Sequence, residues 1–178
     1  MNRGLTGRGS RRPWWFLDVF VEELSDRDAR PVVALATLPE GASPPLHVHH
    51  DLDDSFFMLD GCMVVRCGDD VDVVTAGDWV PFPRGAPHTF RVLDGPARVL
   101  MVHADDSFLA FARAIGTPAD AGPRAHGPDA DTLAHLMAAH GMETVGECME
   151  EDEARALLVH RRGSRLQGAR LHGVDVRS

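Results

Sequence analysis

Short apolar runs that alternate with polar residues mark most of the first hundred residues as strands. Leu17, Val19 and Val21 alternate with Asp18 and Phe20, which predicts a strand with the preceding Trp14-Trp15-Phe16 packed across one end of a sheet. Val32 to Leu38 reads as a second strand, closed by Pro39-Glu40-Gly41, and Pro44-Pro45 forces an extended entry into the next, because the residue before a proline is pushed out of the α region. Ser55 to Asp60, Met63 to Cys67, Val71 to Thr75, Trp79 to Phe82, His88 to Val92 and Ala97 to His103 then follow closely. They are separated by Gly61, Gly68-Asp69-Asp70, Gly77-Asp78, Pro83-Arg84-Gly85 and Asp94-Gly95-Pro96. Many short strands with Gly, Asp and Pro turns, and no helical pattern between them, predict an antiparallel sandwich or barrel over residues 16–104.

Beyond residue 104 the period lengthens. Phe108, Phe111, Ala112 and Ile115 have helical spacing and stop at Gly116. Asp129 or Asp131 can cap a second helix with Leu133, Leu136 and Met137 on one face, ended by Gly141. Glu147 to Arg162 reads as a third helix, acidic early and basic late, in agreement with the helix dipole. The organisation expected is an N-terminal arm over 1–15, a barrel over 16–104, a helical extension over 105–162 and a flexible tail over 163–178.

Length and charge narrow the function classes. The 178 residues suit one domain with a single core. A net charge of -9 and a pI near 5.5 argue against a nucleic-acid partner, since phosphate binding needs a basic surface; the short arm Arg3, Arg8, Arg11, Arg12 is the one contrary sign. Cys62, Cys67 and Cys148 make an odd count without paired spacing, which supports neither a disulfide framework nor a zinc ribbon. No apolar run approaches the ~20 residues of a membrane span and no apolar signal segment precedes Pro13, so the expectation is a cytoplasmic protein with no membrane partner.

The candidate chemistry begins at His47 and His49. Two residues apart on a strand, their imidazoles point to the same face and can share one ion. A hairpin return would bring the Asp54 carboxylate beside them, with Asp53 as the fallback, and His88 waits just after the Gly85-Ala86-Pro87 turn. Three neutral imidazoles and one carboxylate suit one divalent first-row metal: Fe, Mn, Ni, Co or Zn. His50 alternates with His49 and is expected to face outward; whether His103 enters the site depends on a register that the sequence leaves open. Phe56, Met58, Met63, Phe90, Val92 and Met101 are candidates for the wall of a substrate pocket.

These residues resemble the cupin superfamily, in its small single-domain (monocupin) form. The family's first motif, G-x5-H-x-H-x(3,4)-E-x6-G, is matched in spacing by Gly41, His47, His49, Asp54 and Gly61, and its second, G-x5-P-x-G-x2-H-x3-N, by Gly77, Pro83, Gly85 and His88. Asp54 stands where the family usually has Glu, and Val92 where it often has Asn. The downstream segments Phe108 to Pro118 and Asp131 to Gly146 are similar to those of bacterial quercetinase-like cupins. The resemblance implies an all-β double-stranded β-helix, a jelly-roll barrel with C-terminal helices and a metal inside its mouth.

The activity it implies is that of a dioxygenase acting on a hydrophobic, oxygen-bearing small molecule. His47, His49 and His88 would hold the metal, and Asp54 would be a fourth ligand, direct or through water, that detaches to act as catalytic base. Two alternatives are a non-oxidative isomerase or cyclase using the metal as Lewis acid, and a ligand-binding module without turnover. A homodimer is expected, because barrel edges and apolar sheet surface commonly lead such domains to pair.

Overall fold

The computed structural model describes residues 12–124 and 126–159; Arg3, Arg8 and Arg11 of the basic arm, the end of the expected third helix and the expected tail lie outside the described residues. Ten strands form one hydrogen-bonded sheet: β1 Arg12–Phe16, β2 Val19–Glu23, β3 Val32–Leu38, β4 Pro45–His49, β5 Asp54–Cys67, β6 Asp70–Thr75, β7 Trp79–Phe82, β8 His88–His103, β9 Thr117–Pro118 and β10 Met142–Cys148. The long strands β5 and β8 belong to both halves of the barrel. The first part of β5 pairs with the second part of β8, flanked by β7 on one side and by β3, β2, β1 and β9 on the other. The second part of β5 pairs with the first part of β8, between β6 and the pair β4 and β10. The two halves close over one apolar core that includes Val32, Ala34, Met58, Met63, Val65, Val92 and Val99. This is the jelly-roll architecture.

β5 and β8 were each expected as two strands broken at Gly61 and at Asp94-Gly95-Pro96; each is instead one strand bent at a corner. The register shifts on either side of Asp60, where Gly61 takes φ 88°, while Gly95 takes φ 92° in β8. A glycine in this left-handed region lets the strand turn sharply while the ladder continues on both sides. At Gly61 the approach is also close: a Cβ there would lie 2.7 Å from Ala97 Cα.

The bend reverses the inward parity of both strands. Asp54, Phe56 and Met58 face inward before the corner of β5, and Met63 and Val65 after it; in β8 Phe90 and Val92 are followed by Ala97, Val99, Met101 and His103. Because each strand runs down one half and back along the other, Asp54, His88 and His103 gather at one mouth.

The N-terminal boundary shifts as well. Trp14-Trp15-Phe16 are themselves strand, and Leu17, at φ 56°, sits in the tight turn to β2, so the boundary expected at residue 15 falls inside β1.

The C-terminal segment differs more. Helix α1, Ser107–Ile115, and helix α2, Ala130–Ala139, form as expected, and Asp129 is the cap of α2, accepting from Thr132 N at 2.9 Å. α1 buries Leu109, Phe111 and Ile115, each contributing about 1.5–3 kcal/mol of transfer free energy. Its Arg113 is anchored by the buried Glu23 of β2 at 2.8 Å. Residues 142–148, however, are strand rather than linker and the start of a helix. β10 pairs with β4, setting Met142 opposite His49 and Thr144 opposite His47, and a third helix, α3, spans 151–159. The segment expected as a helical extension is thus built into the barrel, because the outer edge of β4 needs a partner for its backbone. α3 lies over the outer face of the second half, where Leu158 and Ala154 join Val64, Val73 and Leu93. No described helix is long and apolar enough to cross a membrane.

Candidate metal centre

β4 carries His47 and His49 on one face, and His47 is the direct cross-strand partner of His88, the first residue of β8. The ring centroids lie 5.1 Å (His47 to His49), 4.4 Å (His47 to His88) and 5.0 Å (His49 to His88) apart. One ring nitrogen from each falls within 4.8 Å of the other two. The spacing therefore brings together the three imidazoles that the sequence pointed to.

The outer partners choose the nitrogen. His47 Nδ1 donates to Pro45 O at 2.8 Å and His88 Nδ1 to Ala86 O at 2.9 Å, since a carbonyl can only accept. His49 Nδ1 lies 2.6 Å from Asp54 Oδ2. Each imidazole thus has its Nδ1 against an oxygen and its Nε2 left over, the arrangement by which a neighbouring group fixes a metal-binding tautomer. Both ring nitrogens of His49 are buried and neither makes a hydrogen bond among the described residues: Nδ1 has the Asp54 carboxylate as its charged neighbour, and a cation would supply the partner of Nε2. Phe108 is stacked on His49 at 5.8 Å and Phe82 on His88 at 4.6 Å, holding both ring planes.

The electrostatics suit a cation. Burial, followed by the neighbouring His88, holds the His47 imidazole down to about 3, and burial also lowers His88, so both are neutral ligands at ordinary pH. Burial pushes the Asp54 carboxyl up, but its contacts with His103 and His49 outweigh this and hold it at about 2. The donor set, neutral imidazoles with a carboxylate behind them, fits one divalent first-row ion.

Asp54 stands differently from the expectation of a fourth ligand. Its Oδ2 faces His49 and its Oδ1 accepts from His103 Nδ1 at 2.5 Å, so both oxygens are engaged by imidazoles, and Asp54 is not among the residues that converge on the shared position. Asp53, the fallback, is bound by Arg84 on the surface, and that guanidinium holds it at about 2. His50 pairs with Glu143 in solvent, as its alternation with His49 predicts.

A cavity of about 540 Å³ opens onto the imidazoles. Of the six expected wall residues, Phe56, Phe90 and Met101 line it; Met58, Met63 and Val92 are fully buried in the core and do not. Most of the remaining wall comes from segments not expected to contribute: Trp14, Phe16 and Leu17 of the β1 turn, Phe108 and Phe111 of α1, Met137 of α2 and Met142 of β10. His103 also lines it. The helical spacing of Phe108 and Phe111 was the available signal for α1, but nothing local shows that this face covers a cavity rather than a closed core.

Residues 34–103 match the family model described as "cupin domain". Quercetin 2,3-dioxygenase of Bacillus subtilis (strain 168) is 26% identical over 88 residues, covering 49% of this chain and 26% of that protein, so the match spans only about a quarter of the relative's length. Among solved structures, the polyketide cyclase RemF from Streptomyces resistomycificus aligns with TM-score 0.49 and 23% identity over 56% of this chain and 79% of that one. KdgF from Halomonas sp. aligns with TM-score 0.46 and 15% identity over 49% and 78%. With both motif spacings in place, the jelly-roll topology and the matching family model, residues 34–103 of the chain are a cupin domain.

Proposed function

We propose that this protein is a metal-dependent enzyme of the dioxygenase type that acts on a largely apolar, oxygen-bearing small molecule. The observation that carries the reading is the cavity of about 540 Å³, walled by aromatic and aliphatic side chains and ending on three imidazoles with free Nε2 atoms. The similarity to quercetin 2,3-dioxygenase over 88 residues supports it. His47, His49 and His88 would hold the ion. When bound, a divalent ion of this kind supplies charge that stabilises a substrate enol or phenol oxygen as its anion and, where redox-active, electron transfer to dioxygen.

The chain's own residues do the rest. The walls from β1, α1 and α2 exclude water and orient a flat substrate, and Phe108 and Phe82 keep the imidazole planes fixed. Asp54 is a positioning residue in this reading: it orients His49 and His103 through its two oxygens, in place of the base role first expected of it. That placement also favours a second reading, a non-oxidative isomerase or cyclase, since a set of three neutral imidazoles is a well-precedented Lewis-acid site.

The test is elemental analysis of the purified protein beside His88→Ala, with dioxygen uptake measured on quercetin as probe. About one divalent ion per chain, nearly all lost in the variant, is expected because two imidazoles anchor an ion poorly. Dioxygen consumption coupled to loss of the probe supports the first reading; metal-dependent conversion under argon supports the second. Full metal retention in His88→Ala would overturn both.

A further inference from the structure

His103 is buried at the mouth, yet it does not belong to the three-imidazole cluster. It is 1% exposed, its Nδ1 donates to Asp54 Oδ1 at 2.5 Å, and its ring is stacked on Phe108 at 4.8 Å. Two contacts on different sides of the ring fix its plane and leave no freedom to turn away. Its Nε2 is buried and has no hydrogen-bond partner among the described residues, although His103 lines the cavity. Buried polar atoms are nearly always paired, so a fixed unpaired one in a cavity wall marks a place where something outside the chain supplies the partner. The neighbours on that wall, Phe108, Met101 and Phe56, cannot supply it.

We propose that His103 is the specificity-determining residue of the cavity and that its Nε2 seats a hydroxyl group on an otherwise apolar, ring-bearing substrate. A hydroxyl is the group that fits, because it donates and accepts and so pairs with a ring nitrogen in either role. The substrate is then held at two polar points, the ion position and His103, with apolar walls between. A site built this way disfavours the analogue lacking the hydroxyl, because Nε2 would again be left unpaired. This inference rests on reading the cavity as a site for an apolar small molecule.

The test measures binding rather than turnover, on the protein as purified and under argon, by equilibrium dialysis of 2,7-dihydroxynaphthalene and 2-naphthol, which differ only in the hydroxyl left for His103 once the ion position has taken the first. The readout is the ratio of the two affinities. In His103→Asn the shorter amide takes the place of Nδ1 and keeps the donation to Asp54 but lacks an atom at Nε2, so the ratio should fall about tenfold, as loss of one hydrogen bond implies. In His103→Gln the longer amide reaches the Nε2 position and gives up Asp54, so the ratio should stay within about threefold of wild type. An unchanged ratio in a folded His103→Asn would overturn the proposal and leave His103 as a support for Asp54 alone. If that variant does not fold, by thermal unfolding, a tenfold fall in His103→Gln overturns it instead. Binding of neither compound by the wild type would overturn the cavity reading and this proposal with it, which separates the two failures.

Discussion

At the mouth of the barrel β5 and β8 begin and end on buried polar side chains, Asp54, His88 and His103, whereas at the corner the same two strands carry Gly61, Gly95 and Ala97. The mouth is held by directional contacts, His103 on Asp54 and two Nδ1 atoms on carbonyls, with His49 close to the same carboxylate. The corner is held by the absence of side-chain volume where two backbones cross. One end of a strand pair can therefore be sensitive to protons and ligands while the other responds to size alone. The function of the protein depends on both, because the corner makes the strands double back and so brings their ends together.

The largest effect is expected at the corner. Gly61→Ala places a Cβ 2.7 Å from Ala97 Cα and 2.8 Å from Pro96 O at φ 88°, and a backbone neighbour cannot rotate away. A loss of about 3 kcal/mol or more by chemical denaturation is the expected outcome, combining left-handed strain with the clash. A cost below about 1 kcal/mol would break the comparison by showing that the corner can open without penalty.

Next comes acid sensitivity at the mouth. His47 is held near 3 in the fold against an ordinary 6.5, so between those values the unfolded chain binds more protons and stability falls as pH falls. Asp54 is held near 2 against 3.8, so its stabilisation is complete above about pH 4 and is lost as pH falls towards 2. The melting temperature of metal-free protein should therefore drop by several degrees between pH 7 and pH 4, with the slope reduced in His47→Phe. A melting temperature independent of pH over that range would contradict a half-buried His47 imidazole held neutral.

The smallest effect sharpens the corner itself. Gly95 has almost the same left-handed backbone as Gly61, φ 92°, but a Cβ there meets nothing within 4 Å. Gly95→Ala should cost only the strain, about 1–2 kcal/mol, measured beside Gly61→Ala under the same conditions. Equal costs would mean that conformation, not close approach, sets the corner.

Local chemistry made much of this legible. Alternation and turn residues located the strand segments between Val32 and His103, Asp129 announced the start of α2, and the two-residue spacing of His47 and His49 placed both imidazoles on one face, with His88 supplied by the second motif. Those features depend on neighbours within a few residues, and the sequence alone was enough to settle them. What it did not settle was which face each later residue presents. Inward parity holds only along an unbulged strand, and the register shifts beside Gly61 and the bend at Gly95 reverse it, so His103 could not be assigned to the cavity by counting from His88. The partner of Asp54 and the pairing of β10 with β4 were likewise decided by the tertiary structure, because each is a contact between segments far apart in the chain whose geometry no local pattern encodes.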